Sequence, residues 1–180
     1  MRRSHCYCMI RKATAADIPA VAAIYDAILT REEAGPVYTN WQRGKYPTED
    51  TARQILAAGT LYVGEDDKGL WGVVNLNGIQ LPEYDAIPWN IPAPAEQVAV
   101  IHTLCIHPER AGQGLARAMV AFCEEEARRL GKTVMRLDTW EGNLPANAMY
   151  PKLGYALAGA TEFFFQGFIH EILNCYDKAL

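Results

Sequence analysis

The sequence predicts an α/β protein of the α+β kind, with a mixed, mostly antiparallel central sheet flanked by helices. Three observations predict it. The spacing of apolar residues switches repeatedly between the period of a strand and that of a helix. The resulting order of elements, β-α-α-β-β-β-α-β-α-β-β, mixes hairpins with βαβ crossovers. The chain has 180 residues, half of them hydrophobic, which suits one domain over residues 1–180 with a full core.

Each element has its own local cause. Cys6 to Ile10 reads as a short strand. Thr14 caps a helix, with Asp17 in its acidic first turn. Ile18, Val21, Ile24, Tyr25, Ile28 and Leu29 recur at helical spacing until Gly35-Pro36 stops them. Val37 to Pro47 is irregular and aromatic. Thr48 caps a second helix that Gly59 ends. Leu61–Gly64 and Leu70–Leu76 form a hairpin across Glu65 to Gly69. Four prolines between Leu81 and Pro94 make a long loop, a kind of segment that often carries function. Val98–Ile106 is a strand ended by Pro108. The amphipathic helix that follows puts Leu115, Met119, Phe122, Cys123 and Leu130 on one face, and Gly131 closes it. Val134–Leu137 is a strand and Pro145–Lys152 a short helix. Tyr155–Leu157, Phe163–Phe165 and Ile169–Tyr176 make a β-rich tail.

Composition excludes several classes. A net charge of -4 offers no basic surplus for a nucleic-acid backbone or an anionic membrane. No apolar run approaches the roughly 20 residues of a membrane span, and no secretory leader is present, so a cytoplasmic protein is expected. The five cysteines are odd in number and scattered, which favours free thiols. His5, Cys6 and Cys8 lack a second ligand pair, and alternating strand residues explain them, so no metal is expected.

The most informative stretch runs from Leu104 through His107-Pro108 to Ala111-Gly112-Gln113-Gly114-Leu115-Ala116. A strand ends, a glycine turn follows and a long helix begins. Glycines let backbone amides approach a phosphate, and a helix N-terminus adds unpaired donors and partial positive charge. A P-loop would continue Gly-Lys-Ser/Thr, but the chain reads Gly114-Leu115-Ala116. A dinucleotide fingerprint would need a third glycine where Arg117 stands, in the first βαβ unit. The pyrophosphate of coenzyme A is the third candidate.

Ala111 to Ala116 resembles motif A of the GNAT superfamily of N-acetyltransferases, [Q/R]-x-x-G-x-[G/A], with Ala111 departing from its first position and Arg110 one residue early. Asn143-Leu144-Pro145-Ala146-Asn147-Ala148-Met149-Tyr150-Pro151-Lys152-Leu153-Gly154-Tyr155 is similar to its motif B, N-x-x-A-x-x-x-Y-x-K-x-G-[F/Y]. The likeness extends over residues 9–178 and is specific over 98–155, the cofactor half. It implies an acyl-CoA N-acyltransferase fold, acetyl-CoA as co-substrate, and direct attack of a primary amine on the thioester. Leu104, Cys105 and Ile106 would pair with the pantetheine amides through their backbone. Ala111, Gly112, Gln113, Gly114, Leu115 and Ala116 would hold the pyrophosphate, and Asn143 would lie near the pantetheine arm. A non-catalytic acyl-CoA sensor would need the loop but neither His102 nor Tyr150.

The chemistry assigns the remaining roles. An alkylamine of pKa near 10.4 is neutral in about one molecule in a few thousand at pH 7, a cost of about 4–5 kcal/mol. His102, two residues before Leu104, is the candidate base that relays this proton; its alternative is a structural side chain in an apolar strand. Tyr150 is the candidate acid for the departing thiolate. Cys105 lacks an orienting partner for a nucleophile's role. The resemblance implies an acceptor, a small-molecule or peptide amine, entering near the first two helices and the loop before Val98, which points to Trp41, Tyr46, Glu83, Tyr84 and Trp89; these aromatics with Glu83 and Asp85 would suit a cationic amine, or else they pack the loops. The aromatic, alternating tail suggests a homodimer.

Overall fold

The computed structural model describes residues 8–165 and 167–180. Strands β1 (Met9–Lys12), β2 (Leu61–Asp66), β3 (Gly69–Asn77), β4 (Val98–Ile106), β5 (Val134–Trp140), β6 (Ala156–Phe165) and β7 (Ile169–Ala179) form one seven-stranded sheet in the order β1-β2-β3-β4-β5-β7-β6. Helices are α1 (Ile18–Ala34), α2 (Glu49–Ala57), α3 (Leu115–Arg129) and α4 (Leu144–Lys152). Of the pairings, β4 with β5 is parallel and the others are antiparallel. The α3 connection makes the parallel step possible, because a crossover needs a helix where a hairpin needs only a turn.

The helices are capped as their sequences predict. The Thr14 amide donates to Asp17 at 2.7 Å, and the Thr48 hydroxyl accepts from the Thr51 amide at 3.3 Å. Helices α3 and α4 bury one face of the sheet, around Trp71, Ile101, Met119, Leu137, Tyr150 and Tyr176. Helices α1 and α2 cover the other face over Val63, Val73 and Cys105. Next to them the proline-rich loop lays Tyr84 and Ile87 on Val98, Val100, Leu173 and Cys175.

Three expectations change. The strand expected at Cys6–Ile10 is Met9–Lys12; Cys6 and Tyr7 lie outside the described residues. On α3 the buried face is Met119, Val120, Cys123, Glu124 and Ala127, and Leu130 is 54% exposed beyond the helix end. Glu124 is tolerated in that face because Lys178 on β7 donates to it at 2.5 and 3.0 Å. The β-rich tail segments read at 155–157 and 163–165 are joined in one continuous strand, β6, which starts at Ala156 and pairs with β7 along its length with an irregularity between Leu157 and Gly159.

One irregularity shapes the functional region. Strands β4 and β5 pair from Val98↔Val134 to Ile101↔Leu137 and then part. Beyond that point β5 follows β7 to Trp140↔Leu173, while β4 follows β3 to Ile106↔Gly72. A bulge drives the separation. His102 pairs with Asn75 and Cys105 with Val73, so Thr103 and Leu104 stand opposite Val74 alone. Thr103 takes a φ of 48°, a left-handed conformation costly for a β-branched residue.

Candidate active site

The site grows from the end of β4. His107 donates its amide to Trp71 on β3 at 2.8 Å. Backbone groups alternate sides along a strand, so Cys105 also faces β3, while Leu104 and Ile106 face the edge that β5 has left. Of the three residues expected to pair with pantetheine, Leu104 and Ile106 therefore present backbone groups to the fork. Those of Cys105 are turned toward β3.

After His107, Pro108–Arg110 makes a single 3₁₀ turn, and Gly112 and Gly114 follow at φ 77° and 73°. A Cβ at either glycine would meet no atom within 4 Å, so both border open space at the start of α3. The Ala111 amide donates to the Pro108 carbonyl at 3.3 Å, and the first helical acceptor, Gly114, is used by Ala118. Among the described residues no acceptor takes the amides of Gly112, Gln113, Gly114, Leu115, Ala116 or Arg117. Six unpaired donors at a helix N-terminus suit a diphosphate. Ala111, expected among them, closes the turn instead. Arg110, one residue early for motif A, forms an ion pair with Asp66 at the end of β2 and reaches Gln113 at 3.4 Å, fixing the turn against the β2–β3 hairpin. The residues present fit the diphosphate and pantetheine of coenzyme A.

Helix α4 closes the other arm of the fork. Asn143 caps it by accepting from the Ala146 amide at 3.2 Å, so its carbonyl oxygen is committed to the helix. Asn147 is the polar hub that sequence reasoning missed. Its amide donates to the carbonyls of Trp140 at 3.0 Å and Asn143 at 2.9 Å. Its oxygen accepts from Asn174 at 3.0 Å and Tyr176 at 2.8 Å. Tyr150, one turn further on, is buried with Tyr155 edge-on at 5.6 Å. Burial and the neighbouring acidic groups Cys123 and Asp138 push its hydroxyl above the usual tyrosine range, so it is protonated at neutral pH.

His102 sits at the parting of the strands. Its Nε2 donates to Asn77 Oδ1 at 2.8 Å and lies 3.1 Å from the Ile79 carbonyl, which ties the start of the long loop to β4. Burial lowers its pKa to about 4, so the ring is neutral at pH 7. These contacts favour the structural alternative for His102. The Cys105 thiol is buried, donates to the Thr103 carbonyl at 3.5 Å and is pushed far above its ordinary range by burial, which leaves no thiolate for nucleophilic attack.

The face opposite α3 carries the acidic groups. Tyr84, in a 3₁₀ turn at Pro82–Ala86, donates to Asp138 Oδ2 at 2.5 Å. Burial raises Asp138 to about 6. Glu171 on β7 is raised to about 7 by burial, against a 3.4 Å contact from Asn40. Glu83 contributes a buried carboxylate oxygen without a hydrogen-bond partner. Tyr46 packs on Phe165 at 4.3 Å and on Trp41 at 5.8 Å, and its hydroxyl meets Thr103 at the bulge. The loop is anchored from beneath. Arg136 lies 4.3 Å from the Trp89 ring centre and donates to Gln80, and Asp177 accepts from Asn90 and Ile91. Asp85 is exposed and outside this group. Among the described residues no three His, Cys, Asp or Glu side chains converge as metal ligands, and no helix is long and apolar enough to cross a membrane.

A parallel strand pair that forks beside a helix start of unpaired amides defines an acyl-CoA transferase fold. The chain belongs to the acetyltransferase (GNAT) family, which it matches over residues 23–155. It is 29% identical over 124 residues to the streptothricin acetyltransferase of Escherichia coli, a match that covers 69% of this chain and 61% of that protein's length. An acetyltransferase of the GNAT family from Streptococcus agalactiae superposes with a TM-score of 0.80 at 20% identity, over 98% of this chain and 99% of that one. A Salmonella typhimurium protein solved with its cofactor acetyl-CoA superposes with a TM-score of 0.69 at 20% identity, over 97% and 94%.

Proposed function

We propose that this protein transfers an acetyl group from acetyl-CoA to a primary amine by direct attack. The observation that carries the proposal is the row of six unpaired amides, Gly112 to Arg117, beside an open strand edge. Leu104 and Ile106 pair with the pantetheine amides, and Gly112 to Ala116 take the diphosphate. Asn143 positions α4 at the pantetheine arm. Tyr150 stands over the fork and protonates the leaving thiolate. The test is calorimetry with acetyl-CoA: Gly114→Asp sets a carboxylate, at a left-handed position, where a phosphate must sit. Binding should be lost while the circular dichroism spectrum persists, and undiminished affinity would overturn the assignment.

The acceptor is a cationic amine, small molecule or peptide, entering from the face of Asp138, Glu171 and Glu83. Three carboxylates between aromatic walls attract an ammonium and repel an anion. The streptothricin acetyltransferase relative supports this class, and streptothricin heads the panel of amines to assay by coenzyme A release. The chain also self-associates through the outer edge of β6, where Phe164 and Leu157 are exposed on a ten-residue strand with an open side. Light scattering at micromolar concentration checks this, and a 20.0 kDa particle counts against it.

A further inference from the structure

We propose that Asp138 is the group that takes the proton from the acceptor ammonium, with Tyr84 positioning its carboxylate. The inference rests on the acetyl-transfer reading and names a residue for the step that the reading leaves unassigned.

Position argues first. The last β4–β5 pair is Ile101↔Leu137, so Asp138 is the first residue of β5 past the parting. Side chains alternate along β5. Leu137 belongs to the core under α3, while Arg136, two residues before Asp138, meets Trp89 of the loop on the other face. Asp138 therefore stands at the apex of the fork on the face from which the acceptor comes. A thioester carried along the open edge of β4 would end its carbonyl at this apex.

Orientation argues second. One carboxylate oxygen, Oδ2, accepts from Tyr84 at 2.5 Å. No described residue donates to Oδ1, and the atom is not sealed from solvent as Glu83 Oε2 is. One oxygen is thus held and the other is available to an incoming ammonium. Tyr84 is itself fixed, packed on Trp89 at 4.9 Å.

The surroundings fix the direction of proton transfer. Glu83 and Tyr84 face Asp138 from the loop, Cys175 and Glu171 from β7, Tyr46 from the connection before α2 and Tyr150 from α4. Arg136, on the same strand, is held by Gln80 and the Ile91 carbonyl. Burial raises Asp138 to about 6 and would lower the pKa of an ammonium beside it. Moving the proton from nitrogen to the carboxylate neutralises a buried ion pair, and both shifts favour that move. At pH 7 the carboxylate is ionised before the reaction and sheds the proton to solvent afterwards. His102 has its Nε2 proton committed to Asn77 and is half protonated only near pH 4.

The protons balance. The ammonium starts with three. One passes to Asp138 and leaves the amine neutral. The nitrogen lone pair forms the C–N bond and the C–S bond breaks, its electron pair going to sulfur. The second proton leaves nitrogen as the amide forms and replaces the one Tyr150 gives to the thiolate. The third stays on the amide.

The experiment is the pH profile of kcat/KM, from pH 4.5 to 9, for acetyl transfer to propylamine, spermidine and streptothricin, read as coenzyme A formed. An enzyme that binds the ammonium and deprotonates it through Asp138 gives a level profile above about pH 7 that falls tenfold per unit below about 6. Asp138→Asn should lose roughly 10²–10⁴ in rate. What rate remains should climb tenfold per pH unit with the amine's own ionisation, and acetyl-CoA affinity by calorimetry should stay within twofold. Tyr84→Phe, which removes the bond that holds the Asp138 pKa down, should move the falling limb to higher pH. Should Asp138→Asn fail to fold, the Tyr84→Phe shift decides alone. An Asp138→Asn enzyme that keeps the limb and the rate overturns this proposal and leaves the acetyl-transfer reading intact. So does a limb that is lost in His102→Gln instead. Wild-type protein that binds acetyl-CoA but acetylates none of the amines overturns both.

Discussion

Tyr150 and Asn143 were both named from one motif, yet the structure uses them differently. Asn143 spends its oxygen on the Ala146 amide, while the Tyr150 hydroxyl has no partner among the described residues. A group so placed is available to a leaving sulfur. Tyr150→Phe removes one oxygen and keeps the ring contacts with Tyr155 and Tyr176. Stability should barely change, and kcat should fall by roughly 10²–10⁴ with acetyl-CoA binding retained. A kcat within about twofold of the parent would make Tyr150 a packing residue, because a lost general acid costs far more. Tyr150 was legible because its spacing from Asn143 belongs to a motif. Asp138 was not, because Leu-Asp-Thr within a strand looks like any alternating segment. Its significance depends on β4 departing one residue earlier, which sequence spacing does not encode. His102 was legible as a chemical group but not as a strut, since Asn77 and Ile79 lie 25 and 23 residues away from it.

At the scale of elements, the sequence predicted the order of strands and helices correctly because each begins or ends on a strong local signal. Thr14, Thr48, Gly35-Pro36 and Gly59 are examples. The bulge at Thr103 has no such signal: neither glycine nor proline marks it, and a β-branched residue takes the left-handed conformation. Tertiary contacts impose it, including the hydroxyl contact with Tyr46 from 57 residues away. The merger of two tail segments into β6 was hidden by Gly159, which reads as a break. In the fold it sits against Pro88 and Ile87, where a Cβ would come within 3.3 Å of the proline ring. Helix α4 is short and carries Pro151 inside it, so its own propensity is poor. Asn147 fastens it to β5 and β7. Asn147→Ala strands the Asn174 side-chain amide and the Tyr176 hydroxyl together, while the Trp140 carbonyl keeps the Asn143 amide. The expected loss is about 2–4 kcal/mol, from several partly buried groups at about 1 kcal/mol each. Chemical denaturation checks it, and a loss under about 0.5 kcal/mol, the ordinary range for surface substitutions, would show that water replaces the latch. The same variant should lower kcat, because Tyr150 rides on the helix that Asn147 holds.

Over the whole molecule, the two helical faces are hydrophobic, while buried carboxylates gather on the face proposed to receive the acceptor. Asp138 and Glu171 are carboxylates raised from 3.8 to about 6 and from 4.5 to about 7 by burial. A raised carboxyl binds its proton more tightly in the folded chain than in the unfolded one. Its contribution to stability is therefore complete below the unfolded pKa and is lost as pH rises through the folded value. For this pair the window runs from about pH 4 to about pH 7. Asp17, lowered by its hydrogen bonds to Arg11, works in the opposite direction and is lost in acid, so the two trends cross within the acidic range. Glu171→Gln separates them. The amide keeps the contact with Asn40 and removes the buried charge, while every other group stays in place. At pH 8 the variant should melt higher, by roughly 2–4 °C for about 1 kcal/mol in a chain of this size, a figure already discounted because solvent reaches the side chain. At pH 4, where the parent Glu171 is protonated, the two melting curves should coincide. Differential scanning calorimetry at the two pH values makes the comparison. A gain that is equal at pH 4 and pH 8 would show that Glu171 is not a buried charge and that the acceptor floor is wet. A gain confined to pH 8, together with weaker binding of a cationic amine, would mean that the charge which destabilises the fold is the charge that recruits the acceptor.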